Sequence, residues 1–408
     1  MHAVVDRIAD GGRRGTIASQ GPRFFGFVVG GSVPAATAAD WLVSAWDQNS
    51  AVFALSPVVS VVESVTASWL LELVGLPPTW STGFVTGCQM ANFTGLAAAR
   101  HHVLAQAGWD VGAQGLFGAP PIDVIVSEES HYTIFGALRL LGLGAERLRR
   151  VPTDAQGRMR ADALRETLRG GTGPCIVCAQ AGNVNTGAFD PLVEIAEATR
   201  ARGAWLHVDG AFGLWAGASP SHRPLLDGIT QADSVAADAH KWLNVPYDCG
   251  VVFSAHPEAH RRAMTVSSAY ILETDAERDP RDFAPEESRR ARAVPVYAAL
   301  RSLGADGVAE IVDRCCHHAT RMAELLKVHP PLRVLNDVVL NQVLVRVEGQ
   351  DPDALTRAMI ARVQQDGTCW CGGTTWHGMA AMRISISNWS TTDADIDRAA
   401  DAIVRCST

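Results

Sequence analysis

Lysine is almost missing from this chain: Lys241 and Lys327 are the only two in 408 residues. Basic charge comes from arginine instead, and it is outweighed, with 35 Lys+Arg against 43 Asp+Glu and a net charge of −8. That balance excludes a global attraction for nucleic acid or an anionic membrane. Charged residues reach only 19% against 47% hydrophobic, which excludes extensive disorder and suits a globular enzyme. Long apolar runs are lacking, since stretches such as Trp69–Pro78 fall far short of the ~20 residues of a membrane span. The first twenty residues hold Arg7, Arg13 and Arg14 but no apolar core, so no secretory signal is read and a cytoplasmic location is expected. The nine cysteines form no pairing pattern. Cys175-x-x-Cys178 lies in an apolar run that reads as a strand, and Cys369-x-Cys371 has no second pair. Reduced thiols and no metal site are expected.

What is present is a length that calls for two or three domains. Pro34–Trp46 and Val58–Gly75 carry apolar residues at helical spacing, the second closed by Gly75 and Pro77-Pro78. Apolar runs then alternate with helical stretches. The runs are Gly83–Gly87, Ile122–Val126, Cys175–Ala179, Trp205–Asp209, Asp233–Ala237 and Gly250–Ser254. Continuous apolar strands between helices predict an α/β fold with a mostly parallel sheet covered on both faces. The charged stretch Leu272–Arg292 lacks an apolar period and reads as a surface loop, mobile over a site. Helices at 293–303 and 304–316 follow. A smaller α/β unit closes the chain, with strands near 339–347 and 382–387 and helices near 352–365 and 392–404. The expected organisation is an N-terminal helical segment 1–75, a large domain 76–292 and a small domain 293–408.

In such a sheet, ligands bind beyond the carboxyl ends of strands. Four of those ends carry chemistry. Asp238-Ala-His240-Lys241-Trp242 puts a lysine beside a histidine in an apolar context, where its pKa can be lowered for Schiff-base formation. His207-Val-Asp209-Gly-Ala211 ends a strand with an aspartate that can pair with a protonated ring nitrogen, or simply cap the next helix. Thr86-Gly87-Cys88-Gln89 opens a helix whose free N–H groups suit a phosphate, though an ordinary turn has the same composition. His131 follows the 122–126 strand, where an imidazole can stack on a planar ring or be a half-buried loop residue. Each is ambiguous singly. In this order and placement they match what pyridoxal 5′-phosphate requires.

From about Gly21 onward the chain resembles the group II, fold-type I pyridoxal-phosphate decarboxylases, which act on aromatic amino acids, glutamate, histidine or cysteine sulfinate. The resemblance rests on His207-Val-Asp-Gly-Ala, Asp238-Ala-His-Lys-Trp, Asn185-Thr-Gly-Ala-Phe-Asp-Pro and Met382-Arg-Ile-Ser-Ile-Ser-Asn. It implies a large seven-stranded-type sheet, a smaller C-terminal α/β domain and a homodimer built with the N-terminal helices. It also implies Lys241 as the Schiff-base lysine, Asp209 as the ring-nitrogen partner, Ala211 under the ring and His131 stacked on it. Cys88, Gln89 and His240 fall at phosphate positions, and Asn183 falls near the ring oxygen. Arg383 matches a carboxylate-orienting arginine, and Phe27 falls in the stretch that lines the side-chain pocket. Three departures stand out: Asp238-Ala239 replaces Asn-Pro, Gly21 replaces a histidine, and no tyrosine lies between Leu272 and Arg292, where relatives place one to protonate the α-carbon. The implied reaction is α-decarboxylation of an L-amino acid to an amine and CO2. The missing loop tyrosine leaves open oxidative deamination to an aldehyde, or β-elimination or aldol-type cleavage.

Overall fold

The structure, a computed structural model, describes residues 2–266 and 277–407. Three helices lead the chain: α1 (His2–Gly15), α2 (Pro34–Trp46) and α3 (Pro57–Val74). The sequence gives no expectation of α1. It buries none of its residues, and Val4, Val5 and Ile8 stand exposed along it. By length and composition α3 is apolar enough to cross a membrane, contrary to the reading of short runs. Half of it is nonetheless buried, including the mid-helix Glu63, which marks a core helix.

Seven strands follow: β1 (Ser81–Val85), β2 (Asp123–Ser127), β3 (Arg149–Val151), β4 (Cys175–Gln180), β5 (Trp205–Asp209), β6 (Ser234–Asp238) and β7 (Gly250–Ser254). They pair in the order β1-β7-β6-β5-β4-β2-β3, and every pairing is parallel except the two made by β7. Helices α4 (Cys88–Gln106), α5 (Val111–Gln114), α6 (Tyr132–Leu140), α7 (Ala161–Leu168), α8 (Leu192–Arg202) and α9 (Pro257–Met264) connect or flank them. Strand alternation shows why the runs are apolar throughout. Cys175, Val177 and Ala179 of β4 enter one core, while Ile176 and Cys178 enter another that also holds Leu96, Val124 and Ile134. Both faces of the sheet are therefore dry.

Helix α10 (Ala293–Lys327) is broken at Gly304, whose φ of 65° only glycine adopts freely. The expected boundary at 304 is thus real, but the second half runs eleven residues beyond Cys316, to Lys327. A second sheet, ordered β10-β11-β9-β8, is wholly antiparallel: β8 (Leu332–Val334), β9 (Gln342–Val347), β10 (Gly372–Trp376) and β11 (Met379–Ser385). Helices α11 (Pro352–Asp366) and α12 (Asp393–Cys406) cover it, and Thr392 and Asp395 form a capping box on α12.

One expectation fails outright. Residues 272–276 lie outside the described residues, but 277–292 is not a surface loop. Arg289 is fully buried, with Nη1 2.9 Å from Oε2 of the fully buried Glu63. Arg278 reaches the other oxygen at 3.5 Å and lies over the Phe283 ring, 4.1 Å from its centroid. The charge in this stretch reads as solvation in sequence because its partner, Glu63, sits on α3 more than two hundred residues away.

Candidate active site

The carboxyl ends of β2, β5 and β6 and the start of α4 bring His131, Asp209, His240, Lys241 and Cys88 to the same end of the sheet. Asp209 ends β5 and is buried, and three hydrogen bonds fix its carboxylate. Oδ1 accepts from the Ala211 N–H (3.1 Å) and from the Cys88 thiol (3.5 Å), and Oδ2 accepts from Asn92 Nδ2 (3.1 Å). Asn92 is itself held. Its Oδ1 lies 2.9 Å from His207 Nε2, and His207 Nδ1 lies 2.8 Å from Ser234 Oγ, which accepts from the Trp205 indole at 2.9 Å. Since the Asn92 nitrogen faces Asp209, its oxygen must accept, which places the His207 proton on Nε2. Burial pushes His207 down to about 4, so the ring stays neutral and needs only that one proton. Asn92, His207 and Ser234 are unassigned in the sequence reading. The α4 periodicity places Asn92 on the sheet-facing side, but nothing local shows what it meets.

Around Lys241 the geometry overturns one expectation. Burial alone would lower its pKa, yet the negative groups around it, foremost the Asp238 carboxylate 2.9 Å from Nζ and with it Asp209, together outweigh burial and hold the ammonium above its ordinary value. The second oxygen of Asp238 accepts from the Cys88 N–H at 2.5 Å. His240 stands beside it, Nε2 being 3.4 Å from Asp238 Oδ1, while Nδ1 accepts from the Cys249 N–H (3.2 Å). That bond puts the His240 proton on Nε2. Burial lowers the His240 pKa, and Tyr247 packs on its ring at 4.3 Å. Burial, with Asp209 and Asp238 behind it, pushes the Cys88 thiol well up, so Cys88 is no thiolate nucleophile.

The other predicted residues divide. His131 caps the entry to α6, with Nδ1 2.7 Å from Thr133 Oγ1. Burial lowers its pKa, and the charges of Asp209, Lys241, Arg383 and Asp238 reach it. Arg383, on β11, donates from Nη1 to the Val184 carbonyl at 3.0 Å, and burial lowers its pKa. No carboxylate among the described residues pairs with it. Gln89 is exposed, and its amide lies over Gly136 of α6. Ala211 serves through its backbone, donating to Asp209 and accepting from the Asp238 N–H at 2.8 Å. Asn183 spends Oδ1 on the Asn185 and Thr186 N–H groups (2.8 and 3.2 Å), a turn role, and its buried Nδ2 has no partner among the described residues. Phe27, left-handed at φ 59°, lies against Trp370 at 5.4 Å and is 67% exposed, so it is not enclosed in a pocket.

Residues 13–348 match the family model described as the pyridoxal-dependent decarboxylase conserved domain. The chain belongs to this family. It is 30% identical over 346 residues to acidic amino acid decarboxylase from Bos taurus, covering 82% of this chain and 65% of that protein. It is 31% identical to L-2,4-diaminobutyrate decarboxylase from Rhizobium meliloti, over 91% of this chain and 75% of the relative. In fold it is similar to Catharanthus roseus tryptophan decarboxylase solved with L-tryptophan (TM-score 0.89, 20% identity, 99% of this chain and 88% of that one). The chain spans 65% of the length of the bovine relative it matches. The family cofactor is pyridoxal 5′-phosphate, and the residues present fit it. The N–H groups of Gln89 and Met90 precede the first intrahelical bond, from Ala91 N to Gly87 O. A Cβ on Gly87 would come within 3.3 Å of His240 and 3.5 Å of Asp238, so a side chain there would fill the space before the helix.

Proposed function

We propose that this chain decarboxylates an amino acid at its α-carbon, releasing CO2 and an amine, with the cofactor held on Lys241. One observation carries the reading: the half-buried Arg383, with no carboxylate partner among the described residues, lies in the charged surroundings of His131 along with Lys241 and Asp209. An unpaired, desolvated guanidinium is costly unless it receives an anion, and a substrate carboxylate suits its planar fork. The cofactor supplies an electron sink for the pair left when the carbon–carboxylate bond breaks. The protein's part is positional. Asp209 holds a proton on the ring nitrogen, and Asn92 and Ala211 keep its carboxylate aimed. His131 would flank the ring, and His240 Nε2–H with the α4 N-terminus would hold the phosphate. Arg383 would hold the substrate carboxylate and so orient the α-carbon.

The oxidative and eliminative alternatives stand on a loop without tyrosine. Tyr270 lies just ahead of that stretch, two residues before Leu272 and outside the described residues, and we read it as the tyrosine those alternatives take to be missing. Trp41, Leu42 and Trp46 of α2, with Leu55, Val58 and Val61, are all at least 45% exposed, an apolar face that suits a homodimer. Nine unpaired thiols accord with a reducing, cytoplasmic setting.

The test is a product assay with acidic, aromatic and diamino L-amino acids, under air and under nitrogen. One equivalent of amine per CO2 in both atmospheres is the expected result. Aldehyde, ammonia and peroxide under air alone would overturn it.

A further inference from the structure

Asp238 does something a phosphate site has no evident use for. Its side chain is buried, and both oxygens are engaged at the mouth of the cradle. Oδ1 accepts from the Cys88 N–H at 2.5 Å and lies 3.4 Å from His240 Nε2, while Oδ2 takes Lys241 Nζ at 2.9 Å. The Cys88 N–H is the first free donor of α4, and His240 Nε2–H points to the same place. A phosphate dianion at this helix start draws on both. The carboxylate therefore already occupies donors that the cofactor phosphate would use.

Its neighbours do little to offset the charge. Among the described residues, Lys241 is the one cation in contact. His240 is kept neutral by burial, and Cys88 by burial together with the nearby carboxylates. Asp209 adds a second negative charge, bonded through the Cys88 thiol at 3.5 Å, and Tyr247 brings an uncharged phenol. Gly250 leaves no slack, since a Cβ there would lie 2.4 Å from the Gly87 carbonyl carbon. A fixed carboxylate and an arriving dianion that share donors in such a cleft repel each other strongly.

We propose that Asp238 is an internal competitor of the cofactor phosphate: it closes the cradle in the cofactor-free chain and weakens binding of the phosphorylated cofactor. This rests on the proposed assignment of the α4 start as the phosphate site. A neutral amide of the same shape keeps an oxygen for the Cys88 N–H and removes the charge.

The experiment compares cofactor-stripped full-length chain with Asp238→Asn and, in case that variant folds poorly, Asp238→Ser. Affinity is read by absorbance titration with pyridoxal 5′-phosphate and with pyridoxal, which lacks the phosphate. Freeing Lys241 from its ion pair eases Schiff-base formation with both probes, so the readout is the ratio of the two affinities. That ratio rises about tenfold or more in both variants if Asp238 opposes the phosphate. A ratio that stays or falls while wild type binds normally overturns this inference and leaves the decarboxylase reading intact. Wild type that fails to bind the phosphorylated probe at all defeats both.

Discussion

Asn92 fixes Asp209 from a helix whose N-terminus faces the same cleft: its amide nitrogen donates to Oδ2 at 3.1 Å while its oxygen takes the His207 proton. Replacing Asn92 by Ala removes one bond to a charged acceptor and leaves His207 Nε2–H buried without a partner. A hydrogen bond to a charged group contributes about 1.5–3 kcal/mol. Asn92→Ala should therefore lower turnover about tenfold or more, with a changed cofactor absorbance spectrum. Unchanged spectrum and rate would mean that Asp209 is held adequately without it.

Acid should unfold the chain through its buried histidines. Burial pushes His207 down to about 4 and His260 down to about 3, and His260 is bonded to Ser81 Oγ (2.9 Å) and the Phe283 carbonyl (3.2 Å). In the unfolded chain each titrates near about 6.5. The unfolded state then binds protons that the fold refuses, so stability present above pH 6.5 is lost as pH falls toward 4 and below. Two such groups give a slope of about 2.7 kcal/mol per pH unit well below 6.5. Denaturant titrations between pH 7 and 4.5 should show their share, and His260→Asn should reduce the slope by about 1.4 kcal/mol per pH unit. Equal slopes would refute the assignment.

Glu63 should be the costliest surface-type residue to neutralise. It is fully buried between Arg289 and Arg278, and Glu63→Gln leaves both guanidinium groups without their counter-charge. Breaking a buried pair from one side typically costs about 3–5 kcal/mol. Arg289→Met with Glu63→Leu should recover part of that loss, as measured by chemical denaturation. A single variant as stable as wild type would show the pair to be solvated.

Tyr270 carries the clearest chemical prediction. Relatives of the resembled family use a loop tyrosine to protonate the α-carbon, and general-acid groups contribute about 10²–10⁴-fold. Tyr270→Phe should slow amine formation within that range and release aldehyde and peroxide under air. Amine formed at the wild-type rate would remove Tyr270 from the reaction.

The sheet was legible because both its faces are dry, so β2, β4, β5, β6 and β7 read as uninterrupted apolar runs. Short edge elements such as β3 and β8 offered too few residues for any period, and α1, which buries nothing, left no hydrophobic stripe toward a core. Lys241, Asp209 and His131 were legible as polar residues just past strand ends. Asn92 and Ser234 were not, because Asn92 meets Asp209 and His207 from a helix more than a hundred residues earlier and Ser234 meets His207 only through the register of neighbouring strands. Asp238 was seen as a departure, but its double engagement with Cys88 and Lys241 exists only in three dimensions. Residues 277–292 misled for the opposite reason: arginines look solvated until Glu63 is found beneath them.

The assignment of Lys241 is open to a direct test, since the chain has only one other lysine, Lys327, exposed at the end of α10. Loaded enzyme is reduced with borohydride, digested, and the peptides mapped by mass. The account predicts the reduced cofactor, in stoichiometric amount, on the peptide containing Lys241 and none on that containing Lys327. Label on Lys327, or no covalent label in a preparation that turns over, would contradict it.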